Sequence, residues 1–426
     1  MKILIKNSRV IDPANKIDDV RDLLIEDSKI SKVASGIRDG VATVIDANGK
    51  IVMPGLVDMH VHLREPGRED KETIATGTKA ALKGGVTTVL AMPNTTPTID
   101  SIETVKLIKN IVSQNALNQV LVAASITKGR KGKELTDVAI LKKDGVAAIS
   151  DDGASVDDPQ LMSQGLMKAK EAGMLVICHC EDKVLANQGA INLGVMSTRL
   201  GLKGISRESE HKRVERDIKL AQETGCPIHI AHVSCKESVE IIAQAKKKGI
   251  LVTAETAPHY FALSEELLID YDTNLKMNPP LRTKADIQAI KQGLQNGTLD
   301  AIASDHAPHT ESAKEIEFER AEFGVIGLET ILAVSITELV DAGLLSWSDL
   351  VRKLSLDPAR ILKIDRGTLS IGSEADLIIV DPAREWKVEK TGLVSKSKNS
   401  CFLGRTLKGT VEYTICSGRI LYPFSL

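Results

Sequence analysis

The sequence has no apolar run of 18 residues, so it predicts no transmembrane helix. It also has almost no net charge, −2 at pH 7, and nothing in this balance suggests a nucleic-acid or membrane-surface partner. Cysteine is sparse: six are scattered at positions 178, 180, 226, 235, 401 and 416, without the spacing of a disulfide framework. We therefore expect reduced thiols and a cytoplasmic protein.

Other features that the sequence lacks exclude several classes of fold. The sequence contains no Gly-x-Gly-x-x-Gly phosphate loop, which would support a doubly wound open sheet, and no solenoid repeat or low-complexity tract. The first residues, MKILIKN, alternate as a strand does, so we expect no signal peptide. Hydrophobic residues make up 42% and charged residues 26% of the 426 positions, which is the composition of an ordinary globular protein.

The middle of the chain alternates short apolar segments with amphipathic ones. Eight strands are predicted at 56–62, 87–91, 119–125, 146–150, 175–179, 228–232, 251–255 and 301–304. Helices are predicted between them at 71–83, 102–114, 159–172, 208–224, 236–248 and 284–294. Eight β/α units favour a closed parallel (β/α)8 barrel over the open-sheet alternative.

The two ends of the chain lack the β/α pattern of the middle. They consist of short β segments with alternating apolar and polar residues, separated by turn residues. Each end would be marginally stable alone. We expect residues 1–52 and 366–426 to pair into one small β-sandwich domain beside a barrel of residues 53–365.

Imidazoles and carboxylates stand at the ends of the predicted barrel strands. His60 and His62 are two apart, so in a strand both side chains point to one face. The carboxyl ends of barrel strands share one face of the fold, which is where its active sites lie. The candidate metal ligands are His60, His62, Asp152, His179, His232 and Asp305.

This set of nitrogen and oxygen donors suits Zn²⁺, with Mn²⁺, Co²⁺ or Fe²⁺ as substitutes. Six ligands exceed the needs of one tetrahedral ion, so two ions that share a carboxylate are favoured. Asp152 is the expected bridge, because Asp151 has the opposite strand parity. Such a site would activate water and polarise a carbonyl, with Asp305 as proton acceptor and donor. The predicted reaction is hydrolysis of a C–N bond, or its reversal as a ring closure.

Four segments resemble the dihydroorotase family of the amidohydrolase superfamily. They are DMHVHLREP at 58–66, MPNTTP at 92–97, KMNPPLR at 276–282 and ASDHAPHTESAK at 303–314. The resemblance covers nearly the whole chain. It implies a metal-dependent barrel enzyme that interconverts N-carbamoyl-L-aspartate and (S)-dihydroorotate, small molecules of pyrimidine (UMP) biosynthesis.

The resemblance also implies roles for individual residues. One metal would be held by His60, His62 and Asp152, and the other by Asp152, His179 and His232, with Asp305 as catalytic base and acid. The implied substrate contacts are His62, Arg64, Asn94 and His309 around the α-carboxylate, Asn278 at the ring, and the backbone near Phe323 and Gly324. An arginine with two further donors is a sound carboxylate clamp.

One departure from the superfamily matters. Many members bridge their metals with a carboxylated lysine at the end of strand four, but here that strand ends in ISDDG, and Lys142 and Lys143 precede it. This argues against hydantoinase, dihydropyrimidinase and allantoinase, and leaves either one or two zinc ions per subunit.

Two alternatives stay open: a related cyclic-amide hydrolase, and a non-catalytic companion of aspartate transcarbamoylase. A homo-oligomer is expected, with or without a transcarbamoylase complex. The charged segment 310–322 is expected to be a mobile loop.

Overall fold

The computed structural model describes residues 2–424, so positions 1, 425 and 426 of the two predicted terminal segments lie outside the described range. Within it the strands are β1 (Lys2–Asp12), β2 (Ile17–Glu26), β3 (Lys29–Ala34), β4 (Thr43–Asp46), β5 (Ile51–Pro54), β6 (Leu56–Val61), β7 (Val86–Ala91), β8 (Gln119–Ala124), β9 (Ala148–Ile149), β10 (Leu175–Cys178), β11 (Ile191–Asn192), β12 (Gly204–Ile205), β13 (Ile228–Ile230), β14 (Val252–Thr256), β15 (Ala301–Ile302), β16 (Leu377–Lys387), β17 (Thr406–Cys416) and β18 (Arg419–Tyr422).

Several helices of the same range begin at a short polar side chain that caps them. Thr73, Ser101 and Asp158 each accept a hydrogen bond from a first-turn backbone N–H. The helices are α1 (Ile74–Lys83), α2 (Ile102–Asn115), α3 (Val138–Lys143), α4 (Pro159–Glu171), α5 (Lys183–Ala186), α6 (Val195–Leu200), α7 (Glu208–Thr224), α8 (Lys236–Lys247), α9 (Pro258–Ala262), α10 (Lys284–Gln295), α11 (Glu311–Lys314), α12 (Ile331–Ser335), α13 (Trp347–Val351) and α14 (Asp357–Leu362).

Eight strands form a parallel sheet in the order β6-β7-β8-β9-β10-β13-β14-β15. The first and last of them are brought together by two contacts. His62 N donates to His306 O at 2.8 Å, and Ser304 N donates to the Asp58 carboxylate at 3.1 Å. The sheet is therefore a nearly closed barrel, and the predicted fold is confirmed.

Alternate residues of the barrel strands belong to two different hydrophobic clusters. Val122 and Ala124 pack in the large cluster that includes helix residues, whereas Ala123 between them belongs to a smaller cluster with Ala359 and Leu362 of α14. Because strand side chains alternate between faces, the first cluster lies under the helices and the second fills the barrel interior. This packing fixes which side chains point inward at the strand ends.

Both ends of the chain contribute to a second sheet, in the order β18-β17-β16-β5-β1-β2-β3, with β4 paired to β1. Its centre is the antiparallel pairing of β5 with β16, in which Val52 lies opposite Ile379. A separate cluster packs on this sheet and includes Ile5, Ile25 and Leu377. These terminal strands fit the small β-sandwich domain that was predicted.

No helix in residues 2–424 is long and apolar enough to cross a membrane. The six cysteines are free and buried.

Candidate metal centre and active site

The six predicted metal ligands lie together at the carboxyl end of the barrel. All are buried, and each follows or ends a different strand except His60 and His62, which share β6 and the residue after it. The ends of β6, β9, β10, β13 and β15 therefore supply one cluster of imidazoles and carboxylates.

Asp152 lies at the centre of this cluster. Its Oδ1 is 3.2 Å from His60 Nε2, 3.4 Å from His179 Nδ1 and 3.7 Å from His232 Nε2. Its Oδ2 is 3.6 Å from His62 Nε2. One carboxylate thus faces four imidazoles, which is the position that a bridging ligand needs.

The neighbouring Asp151 points elsewhere. Its Oδ1 accepts hydrogen bonds from Ile126 N at 2.8 Å and Thr127 N at 3.0 Å. Asp151 therefore fixes the loop after β8, while Asp152 faces the cluster.

Asp305 is the second carboxylate of the cluster and lies near His60 and His62. Its Oδ1 is 3.4 Å from His62 Nε2 and 3.8 Å from His60 Nε2. Two triads have donor atoms within 4.8 Å of one another, namely His60–Asp152–His232 and His60–His62–Asp305. His179 completes the first, because its Nδ1 is 2.8 Å from His232 Nε2.

The donors of this cluster fit a divalent cation. Several buried atoms among the described residues have no hydrogen-bond partner, and two of them face each other in this cluster: His60 Nε2 and Asp152 Oδ1, which are 3.2 Å apart. Burying unpaired polar atoms is costly, and a metal ion would satisfy both. Burial alone would raise the pKa of Asp152, but His60, His179 and His232 hold it well below its usual value, so the carboxylate is ionised and ready to bind a cation.

Two polar side chains orient the first imidazoles. His60 Nδ1 is 2.9 Å from Glu255 Oε1, and His62 Nδ1 is 2.7 Å from Asn94 Oδ1. An oxygen acceptor at Nδ1 places the proton there and leaves the Nε2 lone pair to face the cluster. Asn94, predicted to contact the substrate carboxylate, contacts His62 through its amide oxygen.

Glu255 is a functional residue that sequence reasoning missed. It is the last residue but one of β14, and its second oxygen is 3.2 Å from His229 Nε2, while His229 Nδ1 is 2.8 Å from Thr253 Oγ1. A chain of buried polar groups therefore supports His60 from the barrel interior. The available signal was the carboxylate at the end of a predicted strand, the same signal that identified the ligands.

Three candidate site residues adopt the left-handed backbone region, with φ of 63° at Arg64, 36° at His232 and 48° at Asp305. Non-glycine residues rarely occupy this region, and they persist there when surrounding contacts hold them. The turns after β6, β13 and β15 are thus shaped to aim these side chains.

The predicted carboxylate-binding residues lie beside the cluster. Arg64 Nε donates to Pro308 O at 3.1 Å, and Arg64 Nη2 is 3.3 Å from His309 Nε2. His309 Nε2 is 2.8 Å from Phe323 O. Gly324 approaches Ala307 so closely that an added Cβ would lie 2.6 Å from its Cβ, at a φ of 124°. The predicted residues Arg64, His309, Phe323 and Gly324 therefore form one group.

Asn278 stands apart from that group. Its Nδ2 donates to Glu181 Oε1 at 2.9 Å, on the side of the cluster that follows β10. Asn278 and Glu181 thus link two loops across the barrel opening, and Glu181 was not singled out from the sequence.

Two buried lysines attach the charged segment 310–322 to the barrel. Lys314 Nζ donates to the carbonyl oxygens of Lys276, Glu322 and Gly324, and Lys276 Nζ donates to those of Phe318 and Glu319, each at 2.8 to 3.2 Å. The segment contains the short helix α11. Hydrogen bonds from the two lysines to backbone carbonyl oxygens therefore hold this segment beside the barrel opening.

Comparison with known proteins identifies the family. A family model described as Dihydro-orotase-like matches residues 49–238. The protein named Dihydroorotase from Elusimicrobium minutum is 50% identical over 420 residues, which cover 99% of this chain and 97% of that protein. The protein of the same name from Citrifermentans bemidjiense is 49% identical over 99% of this chain and 100% of that protein. The chain belongs to the dihydroorotase family.

A solved structure agrees on the fold. The L-hydantoinase (dihydropyrimidinase) from Arthrobacter aurescens superposes with a TM-score of 0.90 at 26% identity, over 98% of this chain and 95% of that one. The chain is thus a cyclic amide hydrolase, and the dihydroorotase function is favoured over the hydantoinase alternative, because the relatives near 49% identity carry the dihydroorotase name. Family membership and the ligand triads together indicate a metal-dependent enzyme that acts on a small molecule.

Proposed function

We propose that this member of the dihydroorotase family interconverts N-carbamoyl-L-aspartate and (S)-dihydroorotate with the side chains described above. The observation that carries the proposal is the adjacency of two features: a buried cluster of four imidazoles and two carboxylates, and an arginine–histidine pair at its edge. The first suits attack on an amide carbonyl, and the second suits a substrate carboxylate.

Both substrates carry an α-carboxylate, which needs a cationic partner when it is buried. Arg64, Asn94 and His309 are proposed to bind it, with Asn278 at the ring and further contacts from His62 and the backbone near Phe323 and Gly324. Burial lowers the pKa of Arg64 to about 10, so its guanidinium is still charged at neutral pH. Its Nη2 lies beside His309 Nε2, so one carboxylate could contact both groups.

Zn²⁺ is the proposed ion, at one or two per subunit, with two favoured. His60, His62 and Asp152 would hold one, and Asp152, His179 and His232 the other. The donor set supports this choice, because imidazole and carboxylate suit zinc and the set includes no thiolate. A divalent ion held there would lower the pKa of a bound water and polarise the scissile carbonyl.

Asp305 is the proposed catalytic base and acid. Burial alone would raise its pKa, but His62, His60 and His232 lower it to about 2, so the carboxylate is ionised and can accept a proton. In the hydrolytic direction it takes the proton that the attacking water loses. As the ring C–N bond breaks, Asp305 returns that proton to the departing nitrogen, and the product is the open carbamoyl acid. Ring closure runs through the same steps in reverse.

An assay with four substrates tests the reaction. Turnover of dihydroorotate should exceed that of hydantoin, dihydrouracil and allantoin by orders of magnitude, with zinc content measured on the same preparation. Preferential turnover of any of the other three would contradict the proposal, and zinc-loaded protein inactive on all four would favour a non-catalytic role.

We propose a homo-oligomer and the division of the chain into residues 1–52, 53–365 and 366–426, and we keep a complex with aspartate transcarbamoylase as a testable option. A cytoplasmic location is supported by six buried free thiols. Size-exclusion chromatography of the protein alone, and mixed with the transcarbamoylase, would test the two assembly proposals.

A further inference from the structure

Lys71 lies behind His309 and contacts it directly. Lys71 is 4% exposed and precedes α1, and its Nζ is 3.0 Å from His309 Nδ1. Its backbone is fixed on both sides: Lys71 N donates to Arg68 O at 3.0 Å, and Ser397 Oγ donates to Lys71 O at 2.6 Å. The ammonium group is therefore held against one nitrogen of the imidazole.

The other nitrogen of His309 faces the proposed carboxylate pocket. His309 Nε2 is 2.8 Å from Phe323 O and 3.3 Å from Arg64 Nη2. The His309 backbone is held by Asn399, whose Oδ1 accepts from His309 N at 3.1 Å. The ring therefore lies between a buried ammonium on one side and a carbonyl oxygen with a guanidinium on the other.

These neighbours select one protonation state of His309. A carbonyl oxygen can only accept, so Nε2 must carry the proton that it donates to Phe323 O at 2.8 Å; Arg64 Nη2, at 3.3 Å, is then a neighbouring charge and not a hydrogen-bond donor to this nitrogen. An ammonium group can only donate, so Nδ1 must present its lone pair to Lys71. Both contacts require the neutral tautomer with the proton on Nε2, and a second proton on Nδ1 would face a positive charge at 3.0 Å.

We propose that Lys71 is a positioning residue for the substrate carboxylate. It fixes His309 as the neutral Nε2–H tautomer that faces Arg64, and it adds a buried positive charge behind that pocket. This inference rests on the proposed function, because it takes Arg64 and His309 as the carboxylate-binding pair.

The surrounding charges agree with this role. Arg64, Lys71 and Lys314 are the cations that act on His309, and burial together with these three holds the pKa of the imidazole far below its usual value. Glu322 Oε1 lies 4.0 Å from Lys71 Nζ, and Arg68 and Asp70 add one further charge of each sign near Lys71. The pocket is therefore electropositive, although His309 itself is neutral.

Kinetics of two Lys71 variants test the proposal. Lys71→Met keeps the length of the side chain but removes its donor and charge. We expect it to raise the KM for dihydroorotate about 10- to 100-fold, the value of one charge-assisted hydrogen bond, while kcat and zinc content stay near those of the wild type. Lys71→Arg should recover most of the affinity. Lys79→Met, an exposed position on α1, is the control.

A pH profile separates a charged partner from a packing residue. Burial, followed by the charge of Arg64, lowers the pKa of Lys71 to about 8. The KM of the wild type should therefore rise above about pH 8, as the ammonium loses its proton. This alkaline limb should be missing in Lys71→Met and shifted to higher pH in Lys71→Arg.

Nitrogen-15 NMR of histidine-labelled protein reads the tautomer without any substrate, with the His309 signals assigned by a His309→Asn variant. The wild type should show the proton on Nε2, and Lys71→Met should show a mixture of tautomers. An unchanged KM and tautomer in Lys71→Met would overturn the proposal. If that variant does not fold, a wild-type alkaline limb in Lys71→Arg would overturn it instead. A wild type that does not turn over dihydroorotate would refute the proposed function, and the NMR measurement would still decide the role of Lys71.

Discussion

Replacement of Glu255 by glutamine should weaken metal binding without touching a metal ligand. In the structure one carboxylate accepts from His60 Nδ1 at 2.9 Å and lies 3.2 Å from His229 Nε2. A glutamine of the same shape would turn an N–H₂ group toward one of these two N–H donors. Either His60 then moves its proton to Nε2, where the metal should bind, or His229 changes tautomer. The negative charge behind His60 is lost in both cases.

The expected loss of metal affinity can be taken from other proteins in which a residue that hydrogen-bonds a metal-ligating histidine was replaced. Groups that hydrogen-bond a ligating histidine typically change metal affinity by about 10- to 100-fold. This corresponds to about 1.4 to 2.8 kcal/mol of binding free energy. We expect the change in zinc affinity to be near the upper limit of this range, because Glu255 is ionised and only 1% exposed. Burial alone would raise its pKa, but His229 and His60 lower it to about 2.

Competition between the protein and a zinc chelator would measure the dissociation constant directly. Glu329→Gln is a matched control: Glu329 is also buried, but it accepts hydrogen bonds from Val394 N and Ser395 N instead of contacting a ligand. We expect the control to keep the wild-type zinc affinity. Equal zinc affinity of Glu255→Gln and the wild type, with both folded, would refute the reasoning.

Variants at three other positions test the proposed catalytic base, the proposed carboxylate clamp and a buried ion pair. Asp305→Asn should keep zinc, measured by elemental analysis, and lose turnover by about 10²- to 10⁴-fold, since it cannot accept the proton; undiminished kcat would exclude that role. Arg64→Met should raise KM by about tenfold or more and Arg64→Lys by less, whereas an unchanged KM would mark a structural arginine. Glu210→Gln should cost about 3–5 kcal/mol in urea unfolding at pH 7, because it leaves the buried Arg282 unpaired. Burial would raise the pKa of Glu210, but Arg282 and Ser234 lower it below its usual 4.5, so this contribution is complete above pH 4.5 and is lost as the pH falls; equal stabilities at pH 7 would contradict it.

The barrel was predictable because its strands and helices repeat a simple pattern. The predicted helix at 208–224 has the bounds of α7, and each predicted strand overlaps an observed one. The two shortest are β9, which keeps only Ala148 and Ile149 of the predicted 146–150, and β15, which keeps only Ala301 and Ile302 of the predicted 301–304, because few of their backbone groups pair with the neighbouring strands. The short elements α5, β11, α6 and β12 were not predicted, since each is too brief to show a period.

The proposed ligands could be read from the sequence because strand ends meet at one face, whichever residues they carry. Their supporting partners could not. The contact between Lys71 and His309 joins residues more than two hundred positions apart, and no spacing rule relates them. Asn94 was placed near the site by its position after β7, but only side-chain geometry assigns its oxygen to His62. The position of a residue along a strand thus predicts that it lies near the site, but only the packing of the folded chain determines which side chain it contacts.

The pairing of β5 with β16 has a consequence for synthesis on the ribosome. Val52 of β5 pairs with Ile379 of β16, which is synthesised roughly 330 residues later, so β5 has no partner strand on that edge until then. At about 5–20 residues per second, the delay is about 15 to 65 s. During that time the nascent chain carries an open, apolar strand edge of the kind that recruits other chains. The early strands are therefore a natural place for a chaperone to act, and slowing translation of the last 60 codons or so should increase aggregation of this protein.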